Sequence, residues 1–452
     1  MAGASALEEH TASSGSEGDE EDSGGASEHC DSSDDEDFRG VSVPQTSFNI
    51  AKNIVGEGML SLPAGLAAGT GLATGAFLTV GFCCLMFYSF SALGRVCHFT
   101  GEKSFVGCGR HVQGQVFGSI MAVTNVIKTI FTCTAYAMII GKSGAELAQF
   151  TLGMEVSRHI VYFIFLGAIL LPLCLLRDMS KLSITSLIGL FCEAGIVVFM
   201  AVRYADGSYQ PGGFYFDKIK AKDRPDFGSL GRPAIWTTGP ATLVLIGSLS
   251  TAFLAHYNAP KFYHQLRRRS TRRFNIAVSA GFAAALVIFL CAMAFGYLTF
   301  GKNCEGLILS NYAVEDPLAG ASRAAILLAV VFGFPIAFTG LRDNSTQLLG
   351  LDGGRRRIHF GMTCALLVVI SALCSALDDL GLVNSLGGAI LGSLITLVWP
   401  GLLVYLTYRQ LPKSFSQLEG GIVSLLVAVL GVCLLIFGSG IIIQRRLSKA
   451  VA

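Results

Sequence analysis

Long apolar runs constrain the fold of this 452-residue chain more than any other feature. A helix needs about 20 mostly apolar residues to cross the hydrocarbon core of a bilayer. Eleven runs have this character, and none alternates like a β-barrel strand. The sequence therefore predicts an all-α polytopic membrane protein. Its eleven transmembrane helices, named span 1 to span 11 in chain order, are residues 46–68, 73–96, 115–141, 159–176, 182–203, 240–264, 274–300, 320–341, 358–377, 383–407 and 420–443.

Composition agrees with a membrane protein and excludes several other classes. Charged residues make up 14% of the chain, whereas a soluble domain carries about 25%. Most of the thirteen cysteines lie inside apolar runs, where Cys acts as a small hydrophobe. The sequence has no Cys/His cluster with metal-ligand spacing, no nucleophile–base motif and no phosphate-binding loop. We therefore expect no metal, no cofactor, no nucleic-acid partner and no enzymatic activity.

The N-terminal segment 1–40 differs from the rest of the chain. It holds thirteen Asp and Glu, one Arg and eight Ser, with almost no large apolar residues. Such a segment cannot bury enough surface to offset its ordering entropy, so we predict a disordered acidic tail before a transmembrane domain at 41–450. Ser16, Ser32 and Ser33 each have an acid three residues on, which suits an acidophilic kinase as a partner. The alternative is a solvated tail without regulation.

Lysine and arginine are unequally distributed among the loops. One set of alternate loops contains the basic clusters 267–273 and 355–357, whereas the opposite set includes the uncharged loop 69–72 and the Asp-Asp pair 378–379. Because basic residues accumulate in cytoplasmic loops, we predict a cytosolic N-terminus and an external C-terminus. The protein would reside in the plasma membrane or in a vacuole- or lysosome-type membrane.

Span 1 contains the stretch VGEGMLSLPAG, in which glycines flank Glu57. An interrupted membrane helix is tolerated where its freed backbone groups line a cavity. Span 6 has a matching irregularity in AHYNAPKFY at 255–263, where Pro260 suits the first turn of a second half-helix. Transporters built on inverted repeats place their substrate between two such helices. We predict halves of spans 1–5 and 6–10 with an added span 11; the alternative is that Gly and Pro only kink the helices for packing.

The two predicted breaks suit a zwitterionic ligand. Freed N–H groups near Met59 would face a carboxylate at the positive end of a half-helix, and freed carbonyls would accept from an amine. The natural ligand is a zwitterion that carries a carboxylate and an amine. The expected substrate-binding residues are Gly56, Glu57, Gly58, Met59, Tyr136, Ala255, His256 and Asn258.

The stretch SFNIAKNIVGEGMLSLPAG resembles the first helix of the amino acid/auxin permease (AAAP) family of the APC superfamily, especially its system A/N-like and vacuolar amino acid transporters. FLAHYNAPKFYHQL at 253–266 resembles the sixth helix of that family. GYLTFG, NYAVEDPL and FPIAFTGLRD resemble the end of the seventh helix, the outer loop and the eighth helix. The similarity covers about residues 45–410. It implies a LeuT-like 5+5 inverted repeat with broken helices 1 and 6, a substrate at the midplane and alternating access.

The resemblance also bears on the coupling ion. Asn53 corresponds to an asparagine that contributes to cation binding in sodium-coupled members, although its amide could instead cap freed backbone groups. The centre of span 8, AVVFGFP at 329–335, has no hydroxyl where those members place threonine. A hard cation needs about five or six oxygen ligands. We therefore expect a co-transported proton rather than sodium.

Ionisable residues inside a membrane are expensive and indicate function. Glu57, Lys128 and Glu193 lie near mid-depth, and Lys128 and Glu193 have opposite charges that could pair. A polar stripe that includes Asn125 and Tyr136 follows one face of span 3; interhelical hydrogen bonding is the alternative role for it. By the resemblance, Tyr136 corresponds to an aromatic residue near the substrate. The candidates for proton or ion coupling are Asn53, Glu57, Lys128, Glu193 and His256.

These observations together predict secondary active transport of neutral amino acids, coupled to protons. The alternatives are a sodium-coupled or facilitative carrier with the same fold, or a membrane protein that senses amino acids and signals through its N-terminal tail.

Overall fold

The computed structural model describes residues 40–176, 185–228, 231–410 and 415–451. The predictions for the acidic tail and its serines fall outside these residues. In the described part, nine helices are long and apolar enough to cross a membrane. These helices are Leu72–Thr100, Gln115–Leu152, Arg158–Leu175, Ile188–Ala205, Thr271–Phe300, Pro317–Leu348, Arg356–Ala376, Leu380–Gln410 and Gly420–Ser448. They correspond to spans 2–5 and 7–11, so the helical membrane class is confirmed and the total of eleven stays a prediction.

Span 1 is divided at the predicted position. Its first helix is Val43–Ile54, and the chain then becomes extended at Gly56, with φ −171° and ψ −164°. A 3₁₀ turn over Glu57–Ser61 follows, and the second helix is Leu62–Ala67. The extended backbone removes helical hydrogen bonds just before Glu57, which leaves polar groups of the main chain free at this depth.

Span 6 is divided in the same way. Its first helix, Thr242–Ala252, ends before a 3₁₀ turn at His256–Asn258, and its second helix is Ala259–Gln265. Pro260 lies in the first turn of this second helix, as predicted. Proline fits there because the first N–H groups of a helix have no partner within it.

The two breaks lie against each other. A Cβ atom on Gly58 would lie 2.9 Å from the Cα atom of Ala252, so only glycine allows this approach. Asn258 Nδ2 donates a hydrogen bond to Asn53 Oδ1 at 3.1 Å and so connects the two broken spans. Span 8 packs on spans 3 and 5, and the first helix of span 1 packs on span 7. Spans 1 and 6 are thereby enclosed by the longer helices.

Arg323 in span 8 is completely buried, although it was not among the predicted intramembrane charges. Its guanidinium donates to the carbonyls of Leu309, Tyr312 and Ala313 and to Glu146 Oε2 at 2.7 Å. A buried charge is tolerated when it is paired and hydrogen bonded. Arg323 therefore holds the loop between spans 7 and 8 against span 3.

Candidate functional site

A cavity of about 890 Å³ reaches from one face of the protein to the break in span 1. Its walls come from spans 1, 3, 5, 6 and 8, and its mouth lies beside Asn49 and the segment 103–106 between spans 2 and 3. We call it the inner cavity. Of the residues predicted to bind substrate or an ion, its walls include Asn53, Gly56, Glu57, Gly58, Lys128, Tyr136, Glu193 and Asn258.

Three predicted residues do not line this cavity. Met59, Ala255 and His256 are buried, and the N–H of Met59, which we expected to be free, donates to the carbonyl of Gly56 at 3.1 Å. His256 Nε2 lies 3.3 Å from the carbonyl oxygen of Met86 in span 2. Its ring meets that of Phe90 edge-on, with centroids 5.3 Å apart. The structure thus places His256 in the packing between spans 2 and 6.

Glu57 lies at the inner end of the cavity among polar groups from other spans. Glu57 shares this part of the cavity wall with Tyr136 and with Lys128, whose charge acts on the Glu57 carboxyl group. The Lys128 ammonium also lies 4.5 Å from the centre of the Tyr257 ring, a distance typical of a cation–π contact. Tyr257 was not among the predicted site residues, although its neighbours His256 and Asn258 were.

The suggested ion pair between Lys128 and Glu193 does not form in the described structure, where no nitrogen of Lys128 comes within 4.0 Å of that carboxylate. Similar depth does not place two side chains on facing sides of their helices. Glu193 is 8% exposed and has no ion pair or hydrogen bond among the described residues. The charged group that acts on Glu193 is the carboxylate of Glu57. Glu193 is an unpaired acid in the wall of the cavity.

Span 8 offers the cavity no side-chain oxygen near its centre. The residues that line the wall there are Ala329, Gly333, Ile336, Ala337 and Gly340. Thr339 is in the same region, but its buried hydroxyl is not part of the wall and lacks a hydrogen-bond partner among the described residues. Asn53 is already bonded to Asn258. This environment is poor in ligands for a hard cation.

The polar stripe of span 3 lines the cavity along Asn125, Lys128, Thr129, Thr132 and Tyr136. The hydroxyls of Thr129 and Thr132 donate to carbonyls one turn earlier in their own helix. Asn125 differs, because its buried side-chain oxygen has no partner among the described residues. The stripe therefore presents one free amide acceptor as well as the groups around Glu57.

A second cavity of about 560 Å³ lies on the opposite face, and we call it the outer cavity. Residues 58–61 separate it from the inner cavity, and there Ser61 donates to the carbonyl of Gly58 and accepts from Asn384 Nδ2. The inner cavity therefore connects the break in span 1 with one face of the protein, as one end state of alternating access requires.

Glu305, in the loop between spans 7 and 8, lines the outer cavity and lies between two lysines. Its carboxylate oxygens are 2.7 Å from Lys142 Nζ in span 3 and 2.6 Å from Lys222 Nζ in the loop after span 5. Burial by itself would raise the pKa of Glu305, but the two ammonium groups lower it to about 2. No sequence pattern indicated this bridge, which connects residues more than 70 positions apart in the chain.

The fold and the cavity define a helical membrane transporter, and comparisons with known proteins agree. Residues 39–444 match the family described as "Transmembrane amino acid transporter protein". The chain belongs to this family, which confirms the AAAP resemblance. Because its members are transporters, the prediction that the chain is not an enzyme is also confirmed.

Individual relatives are distant but cover most of the chain. "Putative sodium-coupled neutral amino acid transporter 11" of Danio rerio is 25% identical over 366 residues, 79% of this chain and 78% of the relative. "Amino acid transporter AVT6E" of Arabidopsis thaliana is 26% identical over 424 residues, 89% of this chain and 83% of the relative. Such relatives support amino acid transport as the general function.

Two solved structures show the same fold at low sequence identity. MhsT, in complex with L-phenylalanine, has a TM-score of 0.56 at 13% identity and covers 87% of this chain and 98% of its own. The closed form of Mhp1, a nucleobase-cation-symport-1 family transporter with bromovinylhydantoin bound, has a TM-score of 0.55 at 11% identity and covers 91% of this chain and 94% of its own. Both have the LeuT-type fold that the family resemblance implied.

Proposed function

We propose that the protein is a secondary active transporter of neutral amino acids that binds its substrate at the breaks in spans 1 and 6. The observation that carries this proposal is the end of the inner cavity at Gly56–Gly58, where free main-chain groups adjoin Glu57. A transporter needs a polar site at mid-membrane that one face can reach, and this cavity has both properties.

The expected ligand contacts follow from the polarity of the half-helices. The N–H of Gly58, at the start of the turn Glu57–Ser61, lies at the positive end of the second half of span 1 and suits a carboxylate. Ala252 and Leu254 line the cavity where the first half of span 6 ends, and carbonyls at a helix C-terminus suit an ammonium group. A zwitterion satisfies both ends.

The charges in the cavity favour proton coupling. Two carboxyl groups, Glu57 and Glu193, share the deep part of the cavity with one ammonium group, Lys128. If all three are ionised, one negative charge stays unbalanced where a substrate carboxylate must also bind. A buried unpaired charge is costly, and one bound proton removes it. Proton uptake and substrate binding then favour each other.

Sodium coupling is the second candidate, because relatives such as the Danio rerio protein are named sodium-coupled transporters. For this chain, the side chains lining the centre of span 8 contribute no oxygen to the cavity, and Asn53 is engaged by Asn258. A sodium site here would depend on main-chain carbonyls. We therefore rank the proton first.

Uptake by the purified full-length protein in liposomes tests the proposal. A panel of radiolabelled amino acids should be used, with the pH gradient and the sodium gradient varied independently. We expect uptake of neutral amino acids that rises as the loading side is acidified and is unchanged when choline replaces sodium. Uptake that requires sodium and is flat in pH would contradict the coupling, and no uptake of any amino acid would contradict the transport function.

A further inference from the structure

The wall of the outer cavity has more basic than acidic side chains. Its cations come from spans 3, 4 and 11 and from the loops on this face, and they are Lys142, Arg158, Lys222, Lys302, Arg445 and Arg446. Its acids are Glu305, Asp378 and Asp379, so the wall has a net charge of +3. A cavity lined by an excess of one charge concentrates ions of the opposite sign.

The acids of the wall are already occupied and do not balance these cations. The carboxylate of Glu305 is shared by two lysines. Asp378 pairs with Arg158. Asp379 lies 3.9 Å from Arg446, which is too far for a hydrogen bond. Several cationic donors of the wall are therefore left without an acceptor.

One acid behind the wall reduces the excess without removing it. Asp223 does not line the cavity, but its carboxylate lies 3.8 Å from Lys222 Nζ. When Asp223 is counted with the wall, an excess of two positive charges remains. Like charges that share a cavity repel one another, and a bound anion removes this repulsion.

Lys302 and Arg445 have no ion pair among the described residues. The main-chain N–H of Lys302 donates to the carbonyl of Asp226, but the carboxylate of Asp226 accepts from the N–H of Gly228. One nitrogen of Arg445 donates to the carbonyl of Ala68 at 2.7 Å. A guanidinium has five N–H donors, so Arg445 keeps donors for a second acceptor.

Buried hydroxyls line the same cavity. Ser61, Ser248 and Ser385 are all buried. Ser61 donates to the carbonyl of Gly58 and Ser385 to that of Leu382. Ser248 is 1% exposed, and its hydroxyl has no hydrogen-bond partner within the described ranges. Ser248 thus offers the cavity a neutral donor that no protein group uses.

The volume and the donors indicate a class of ligand. About 560 Å³ lies within the range of about 300–1,000 Å³ that is usual for small-molecule sites. Ammonium, guanidinium and hydroxyl groups together suit the several oxygens of a phosphate or carboxylate. An excess of at least two positive charges favours an anion with two negative charges over a zwitterion.

We propose that the outer cavity binds a small soluble oxyanion with about two negative charges, a phosphate or a dicarboxylate, through Lys302, Arg445 and Ser248. These three residues belong to the loop after span 7, to span 11 and to the first helix of span 6. Residues 58–61 separate this site from the inner cavity, so the inference does not depend on which substrate or ion the protein carries.

Lysine footprinting of the full-length protein in nanodiscs of neutral lipid tests the proposal. The rate at which an acetyl N-hydroxysuccinimide ester modifies each lysine is measured by mass spectrometry, while inorganic phosphate replaces chloride at constant ionic strength. Lys302 is exposed. At saturating phosphate it should react at least about fivefold more slowly, because a bound anion holds its ammonium group.

The same sample contains an internal control. Lys220 is exposed in the loop after span 5 and lies outside the cavity wall, so phosphate should leave its rate unchanged. Succinate should protect Lys302 as phosphate does, because it carries two carboxylates. Alanine, which has no net charge, should not protect it.

Variants of opposite sign test the location of the site. Asp379→Asn removes one acid from the wall and keeps a side chain that can cap the helix starting at Leu380. The phosphate concentration that gives half protection of Lys302 should fall about threefold in this variant. Arg445→Gln should raise that concentration at least about fivefold.

Arg232→Gln is the matched control, because it removes one exposed charge from the loop between spans 5 and 6, outside the cavity wall. It should leave the half-protection concentration unchanged. Thermal unfolding without phosphate shows whether each variant is folded.

Four results would overturn the proposal. Lys302 could remain unprotected at every phosphate concentration. Lys220 could be protected equally, which would mean accumulation of anions over the whole face. The phosphate effect could disappear in nanodiscs that contain phosphatidylglycerol, which would assign the cations to lipid headgroups. The three variants could share one half-protection concentration, which would place the anion elsewhere.

Discussion

At the scale of single residues, the two glutamates of the inner cavity have different surroundings. Glu57 has Lys128 and Tyr136 beside it, whereas Glu193 has no ion pair or hydrogen bond among the described residues. Because no cation compensates Glu193, its ionised form is the less stabilised of the two. Glu193 is therefore our first choice for the group that binds and releases the transported proton.

Replacement of Glu193 by Gln should preserve substrate binding and exchange but abolish acceleration by a pH gradient, because glutamine mimics the protonated form and cannot release a proton. Counterflow and pH-driven uptake in liposomes measure the two activities separately. Glu57→Gln is the matched variant. It should reduce binding itself, because it removes a carboxylate charge that offsets the charge of Lys128 at the end of the cavity. If Glu193→Gln retains full proton drive and Glu57→Gln loses it, the assignment is reversed.

Two glycines of the span 1 break should respond differently to a side chain. A Cβ on Gly56 has no atom within 4 Å, whereas a Cβ on Gly58 would lie 2.9 Å from Ala252 Cα. Gly56→Leu should keep the fold and reduce uptake at least about tenfold by filling the cavity, whereas Gly58→Leu should destabilise the protein by about 1–3 kcal/mol. Thermal unfolding measures the stability of each variant, and liposome uptake measures its transport activity. Normal uptake by folded Gly56→Leu would place the substrate elsewhere.

At the scale of elements, Glu305 connects its own loop between spans 7 and 8 with span 3 through Lys142 and with the loop after span 5 through Lys222. Its pKa in the folded protein is about 2, below the ordinary value of 4.5. A depressed pKa stabilises the fold fully above the ordinary value, and this stabilisation is lost as pH falls from about 4.5 towards 2. The bridge should therefore persist at the mildly acidic pH of a vacuole or lysosome.

Glu305→Gln should lower the free energy of unfolding by about 2 kcal/mol at pH 7, because it removes a carboxylate that holds two cations. The difference in free energy of unfolding between Glu305→Gln and the unmodified protein should be equal at pH 7 and pH 5 and should shrink below about pH 4.5. Thermal unfolding across this pH range measures it. Asp217→Asn breaks the exposed pair with Arg224 and is the control, for which we expect little change. A Glu305 effect that shrinks between pH 7 and 5 would contradict the assigned pKa.

At the scale of the whole molecule, the two ends of the described chain lie on opposite faces. Val41 pairs with Gln265 at the mouth of the inner cavity, whereas Arg445 near the C-terminus donates to the carbonyl of Ala68 beside the outer cavity. Ends on opposite faces require an odd number of crossings. This agrees with eleven spans.

Epitope tags at both ends should be accessible from opposite sides of the membrane. From the basic inner loops, we expect the C-terminal tag to react with antibody in intact cells, or in the lumen of an organelle, and the N-terminal tag to react only after permeabilisation. A tag inserted in the loop 206–241 should behave like the C-terminal tag. The reverse pattern would mean that the inner cavity opens to the external side.

Features that depend on local sequence were predictable. The length of each apolar run matches the thickness of a bilayer, so nine of the predicted spans coincide with long helices. The breaks at Gly56 and before Pro260 were also predictable, because Gly and Pro limit a helix through their own main chain. The spacing of Asn125 and Tyr136 placed them on one face of span 3, and both line the cavity.

The partners of the site residues were decided only by the tertiary structure. His256 and Tyr257 are adjacent in the sequence, yet His256 packs on span 2 while Tyr257 lines the cavity. Each step of a 3₁₀ turn rotates the side chain by about 120°, so neighbours point in different directions. Lys128 does not form the suggested pair with Glu193, because the rotation and packing of whole helices, not depth in the membrane, determine which charges meet.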